Sequence, residues 1–224
     1  MENELVKIDW IEKSKSNGLR KEKKNNNYYE NEQIRYFTIE ELDRLMGNVK
    51  NKYYKMIFLM LYETASRFSE IRYLKFNDLE NSLNDTFIKI PVAKQRNRKL
   101  TKRVPISSVL KSYILDHRIK NNLKEKDYIL AKKPNGEPVS NQTINMGLKR
   151  YVEKICGNDF VDRAHTHVFR HSRAIHLLDA GVNIRIVQRI LGHSSISNTL
   201  IYLKYSDKSF TEAINAANGK IGLK

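Results

Sequence analysis

The chain has 224 residues, 41 lysines and arginines against 25 aspartates and glutamates (formal charge +16), and 40% hydrophobic residues. This balance excludes a disordered or fibrous chain, and the lone Cys156 excludes an intrachain disulfide and fits a reducing compartment. No apolar run approaches the roughly 18 residues of a membrane span, and the opening residues lack a signal-peptide pattern. A cytoplasmic protein without a membrane partner is therefore expected, and the positive surplus points to a polyanion.

Residues 1–34 read as a tail or linker. Leu5, Val6, Ile8, Trp10 and Ile11 form a short apolar stretch, followed by the polar run from Lys21 to Asn27. The ordered domain is expected over 35–224. Thr38 and Glu41 have the spacing of a capping box, and Leu42, Leu45 and Met46 follow at helical intervals. A second helix places Tyr53, Met56, Ile57, Met60 and Leu61 on one stripe, and a short third is predicted from Ser69 to Leu74. Alternation over 86–92 predicts a strand, with 102–106 as its antiparallel partner. Between and beside them stand Lys94, Arg96, Arg98, Lys99, Lys102 and Arg103, six cations in ten residues. Such a run repels itself unless an anion is near, so phosphate contact is expected.

A helix is predicted from Ser107 to about Asn122, a short strand at 128–131, and a helix from the Ser140 cap to about Cys156. In the last third, helices are predicted from His167 to Ala180 with Gly181 at its end, from Ile184 to Leu191 with a stop at Gly192, and after Ser195 or Ser197, carrying Tyr202. A final helix over 209–217 would present Phe210, Ile214 and Ala217. It has two possible partners, a neighbouring protomer or its own domain. The fold class expected is mainly α with a small antiparallel β-sheet.

Several residues invite chemistry. His167 and Arg170 sit at i and i+3, so they share a helix face and can converge on an oxyanion. Gly192 can take a left-handed conformation that holds His193 just past a helix end. Tyr202 is a candidate nucleophile, because a phenol attacks when donors stabilise charge around the reacting phosphate. Tyr205 is its rival among twelve tyrosines. Arg67 lies at a break between helices, with Glu70 three residues on.

The order and spacing of these residues resemble the tyrosine recombinase (phage integrase, Xer-like) family. The resemblance covers about 35–205 and is densest from Thr166 through His-Val-Phe-Arg-His and Leu-Gly-His to Tyr202. It implies Arg67 and Arg170 as the two catalytic arginines, His167 and His193 as the catalytic histidines, and Tyr202 as the nucleophile. A hairpin lysine completes the set: Lys94 fits best, with Lys99 and Lys102 as alternatives. Glu70 and His171 match supporting positions. The implied chemistry is strand cleavage and rejoining of double-stranded DNA through a 3′-phosphotyrosyl link, with no metal or ATP, by a homo-oligomer (tetramer). His167 would help accept the Tyr202 proton, and Lys94 would protonate the departing 5′ oxygen.

The sequence departs from the family pattern in two places. Ala65 stands where glycine is common, and about 34 residues precede the match where a DNA-clamping core-binding domain is usual. That domain is expected to be absent, through excision or a naturally short form, and DNA affinity weak. Two other readings share the charge and helices: a type IB topoisomerase-like relaxing enzyme and a non-enzymatic DNA-binding protein. A metal site from His165, His167, His171 and His176 lacks acidic or cysteine partners in sequence, and Arg170 would repel a cation.

Overall fold

The computed structural model describes residues 34–82, 85–92, 100–157, 161, 164–206 and 218. The capping box closes as expected: Glu41 N donates to Thr38 Oγ1 and Thr38 N donates to Glu41 Oε2, starting α1 (Ile39–Asn48). Asn51 accepts from the N–H groups of Tyr53 and Tyr54 and starts α2 (Lys52–Thr64). Met56, Ile57, Phe58, Met60, Leu61 and Thr64 of α2 are all buried. A helix buried on so many sides runs through the core rather than over it. The short α3 (Phe68–Ile71) follows where a helix from Ser69 to Leu74 was expected, and α2 packs against α4 (Ser108–Lys120) and α6 (His167–Asp179).

The predicted pair of strands forms, as β2 (Thr86–Pro91) and β3 (Thr101–Ile106), and a short β1 (Leu79–Asn81) joins it. The order is β1-β2-β3, antiparallel throughout, with Ile88 opposite Val104 and Ile90 opposite Lys102. The two-residue period of a strand puts Ile88, Ile90, Lys102 and Val104 on the buried face. The run 128–131, expected as a strand, instead makes a single bridge between Tyr128 and Lys75. Its apolar side chains Ile129, Leu130 and Ala131 are nevertheless buried.

Ser140 caps α5 (Asn141–Cys156) by accepting from Thr143 N. Gly147 of α5 leaves room for Tyr54 of α2; a Cβ there would lie 2.1 Å from the Tyr54 ring. That ring packs on Phe58 and Tyr151, so it has little freedom to retreat. Gly147→Ala is expected to destabilise the fold by about 1–3 kcal/mol, lowering Tm by roughly 3–10 °C. A thermal melt with unchanged Tm would contradict this packing.

The α6 helix fixes the other half. Phe37 N donates to Ser172 Oγ, and His176 Nε2 lies 2.9 Å from the Phe37 carbonyl. The Phe37, Phe169 and Phe58 rings follow one another at 5.8 and 5.3 Å. Then come α7 (Ile184–Leu191), the single turn α8 (Ser197–Leu200) and a 3-10 turn (Ile201–Tyr205). The architecture is mainly helical with one small antiparallel sheet, as expected. Tyr202 sits on the 3-10 turn rather than on the predicted helix. The predicted helix over 209–217 lies outside the described residues.

Candidate active site

Three helix ends and one turn build the site. The α2 helix ends at Ala65, whose φ of 48° and ψ of 30° are left-handed. A non-glycine residue there costs roughly 1 kcal/mol or more. The Ala65 carbonyl accepts from Arg170 Nη1 at 2.7 Å, so the turn is held where the sequence lacks glycine. Arg67 lies two residues on, and Glu70 Oε2 accepts from Arg67 N at 2.9 Å and Oε1 from Arg67 Nη1 at 2.8 Å. One carboxylate thus fixes both ends of Arg67. Burial pushes the Glu70 carboxyl up, but the Arg67 N–H, the Lys102 and Arg170 charges and the Arg67 side chain outweigh it and hold it below the usual range.

The α7 helix ends in the same manner. Gly192, at φ 69°, lets His193 N donate back to the Gln188 carbonyl and Gly192 N to the Arg189 carbonyl. The His193 ring then meets Thr199, Nδ1 to Oγ1 at 2.9 Å. Burial first, then Arg170, Arg67 and Lys102, push the imidazole down to about 4, against Glu70. It is neutral at pH 7.

The first turn of α6 supplies His167, Arg170 and His171. Burial, then His165, Arg170 and Arg67, hold His167 below its ordinary value. Arg170 is 2% exposed; its Nη2 is buried without a hydrogen-bond partner among the described residues. The Tyr202 oxygen lies close enough to favour the charged guanidinium, without meeting hydrogen-bond geometry at that nitrogen. His171 Nδ1 is 3.0 Å from the Tyr202 hydroxyl, and burial followed by His167, His165 and Arg170 pushes it down to about 4.

The structure therefore brings together Arg67, Glu70, His167, Arg170, His171, His193 and Tyr202, from segments more than a hundred residues apart. It also brings in Lys102, expected either to contact DNA or, as an alternative to Lys94, to be the hairpin lysine of the site. That side chain points inward, 8% exposed, and its ammonium donates to the Thr64 and Ile190 carbonyls. The physical reason is register: pairing with Ile90 puts Lys102 on the core face. Burial, with Arg170 and Arg67, pushes it down to about 7 against Glu70. Arg103, on the opposite face, stacks over Phe87 and pairs with Glu80. Lys94, Arg96, Arg98 and Lys99 lie outside the described residues. Among the described residues no three His, Cys, Asp or Glu converge on a metal position, and no helix is long and apolar enough to cross a membrane.

Residues 35–209 match the model of the phage integrase family. The chain belongs to that family. It is 32% identical over 176 residues to a tyrosine recombinase of Pseudothermotoga lettingae, covering 78% of this chain and 58% of the relative. It is 31% identical over 182 residues to the tyrosine recombinase XerA of Pyrococcus horikoshii, covering 80% and 60%. The chain thus spans about three-fifths of the length of these curated relatives. Its fold is similar to the XerH site-specific recombinase in a post-cleavage complex with a palindromic difH substrate, at a TM-score of 0.69. That overlap covers 86% of this chain and 55% of the other at 18% identity.

All six histidines of the chain are held below their ordinary value of 6.5, burial being the first cause for each. The unfolded chain then binds more protons than the folded one as pH falls below about 6.5, so stability falls with it. For His171, at about 4 folded against 6.5 unfolded, the loss at pH 5 is roughly 2 kcal/mol. Tm is expected to drop steadily between about pH 7 and 5; a flat or rising Tm contradicts the burial of these rings.

Proposed function

We propose that this chain cleaves and rejoins strands of double-stranded DNA through a 3′-phosphotyrosyl link on Tyr202, as a site-specific recombinase. The observation that carries the reading is the charge of the site. Arg67, Arg170 and Lys102 crowd around the buried carboxylate of Glu70, and Arg170 Nη2, with the Tyr202 oxygen nearby, is buried without a well-formed hydrogen bond among the described residues. A buried donor left unmatched is costly, and a phosphodiester oxygen supplies what is missing. The N-terminus of α6 adds its own preference for an anion.

In this mechanism Arg67 and Arg170 bind the two non-bridging oxygens and grow tighter as the five-coordinate state gathers charge. His193 is the third donor. Its Nδ1 is engaged with Thr199, which leaves Nε2 to face the phosphate. The Tyr202 oxygen attacks phosphorus as its proton passes to the histidines beside it. His171 is the hydrogen-bond partner of that hydroxyl in the resting site, with His167 one turn away. The bond to the 5′ oxygen breaks, and Lys94 gives that oxygen its proton. The result is a 3′-phosphotyrosine and a free 5′ hydroxyl. Attack by a second strand's 5′ hydroxyl reverses every step, so bond energy is conserved. We take residues 35–224 as the catalytic domain, working as a tetramer on DNA in the cytoplasm.

The test is to incubate the chain with DNA fragments flanking its coding sequence, in excess chelator, and to quench in detergent. A covalent protein–DNA adduct with a free 5′ hydroxyl at one mapped position is expected. No adduct, or an adduct linked to the 5′ end, would overturn the reading. Relaxation of plasmids lacking that position, without strand exchange, would point to a topoisomerase-like enzyme instead.

A further inference from the structure

The two segments that carry Arg67 and His193 are built alike. The α2 helix ends at Thr64 and the left-handed Ala65, with Arg67 three residues after Thr64. The α7 helix closes with Ile190, Leu191 and the left-handed Gly192, with His193 three residues after Ile190. Each helix leaves carbonyls in its last turn without a backbone partner, at the negative end of its dipole. Lys102 Nζ donates to one carbonyl from each: Thr64 at 3.2 Å and Ile190 at 2.5 Å. A single ammonium therefore ties together the roots of two active-site residues that are 126 positions apart in the chain (193 − 67).

The side chain is placed to do this and little else. Its strand partner is Ile90, and its stem passes Gly192, where an added Cβ would lie 3.9 Å from Lys102 Cδ and 3.2 Å from Val92. We propose that Lys102 is a positioning residue. It holds the Arg67 turn and the His193 turn at the separation a phosphodiester requires, and it does not touch the DNA. The inference rests on the strand-transfer reading above, and deepens it by assigning to that site a residue that acts through two backbone carbonyls.

Two other roles are open to a lysine here, surface contact with DNA and protonation of the leaving oxygen, and each has its own signature. The experiment uses the full chain and a nicked duplex carrying the cleavage position mapped above, in two forms: the ordinary phosphodiester, and one with sulfur in place of the 5′ bridging oxygen. Sulfur leaves without needing a proton, so it restores variants that lack a general acid. Lys102→Met and Lys102→Arg are compared with wild type for DNA affinity and for adduct formation at saturating DNA.

A positioning role predicts that Lys102→Met lowers the saturating rate at least 50-fold on both substrates, with Kd and its salt dependence within 3-fold of wild type. Lys102→Arg can reach the same two carbonyls and returns to within about 5-fold. A weaker Kd with a shallower salt slope and an unchanged saturating rate would overturn the proposal in favour of a DNA contact. Rescue of both variants by sulfur would overturn it in favour of a general acid, since arginine cannot give up its proton. If Lys102→Met shows no melting transition, Lys102→Arg alone decides. Near-wild-type rates on both substrates uphold positioning, and loss on oxygen with recovery on sulfur ends it. Wild type forming no adduct on either substrate would sink the strand-transfer reading itself. Adduct in wild type with full activity in Lys102→Met would sink only the role of Lys102.

Discussion

Tyr202→Phe is expected to lower covalent adduct formation by about 10⁴-fold or more, the scale seen when a nucleophile is removed from a working constellation. The fold should survive the change. Tyr202 is 2% exposed, so the phenylalanine ring fills the same space. The change removes the bond to His171 Nδ1 at 3.0 Å, worth about 1 kcal/mol, and the oxygen that lies beside the Arg170 guanidinium. DNA binding should stay within a few fold, because the cations are untouched. Gel detection of the adduct, alongside filter binding and a thermal melt, separates these effects. Residual adduct at wild-type rate would move the nucleophile elsewhere, with Tyr205 first in line.

The second large effect falls on Arg170. Removing one preorganised donor from a developing oxyanion costs about 10²–10³ in rate, and Arg170→Ala removes a charged, two-pronged donor. A loss of roughly 10³-fold or more in single-turnover cleavage follows. The same substitution orphans the buried Ala65 carbonyl, which Arg170 Nη1 now satisfies at 2.7 Å, at a further cost of about 1–3 kcal/mol in stability. Arg170→Lys keeps a charge but loses the fork, so it should recover part of the stability and little of the rate. Cleavage by Arg170→Lys at more than a tenth of the wild-type rate would argue against bidentate contact with the phosphate.

Much of this was legible in the sequence because it is written locally. The Thr38 and Glu41 box, the Ser140 cap and the Gly192 stop each depend on residues within a few positions of one another, and all three formed. The short β1 gave no signal, since three residues cannot show an alternation. The 128–131 run reads as a strand because it is apolar, but burial rather than sheet pairing accounts for its composition. For Lys102 a signal did exist. Lys102 and Val104 share strand parity, and Val104 belongs to the core. The density of charge around it concealed that parity. The pairing of His171 with Tyr202 could not have been read, because it depends on how α6 docks against a turn 31 residues away.

Ala65 shows how tertiary contacts compensate for a local departure. A glycine would take its left-handed conformation without strain; here the buried guanidinium of Arg170 secures the turn instead. Arg170 therefore shapes the loop that presents Arg67, and effects of the two in mutants should not add.

The most direct test is chemical. The adduct formed on the mapped DNA position should be digested with nuclease and trypsin, and the modified peptide sequenced by mass spectrometry. The account predicts one nucleotide joined through its 3′ phosphate to the oxygen of Tyr202. A nucleotide on Tyr205, on a serine, or joined through its 5′ phosphate would contradict it.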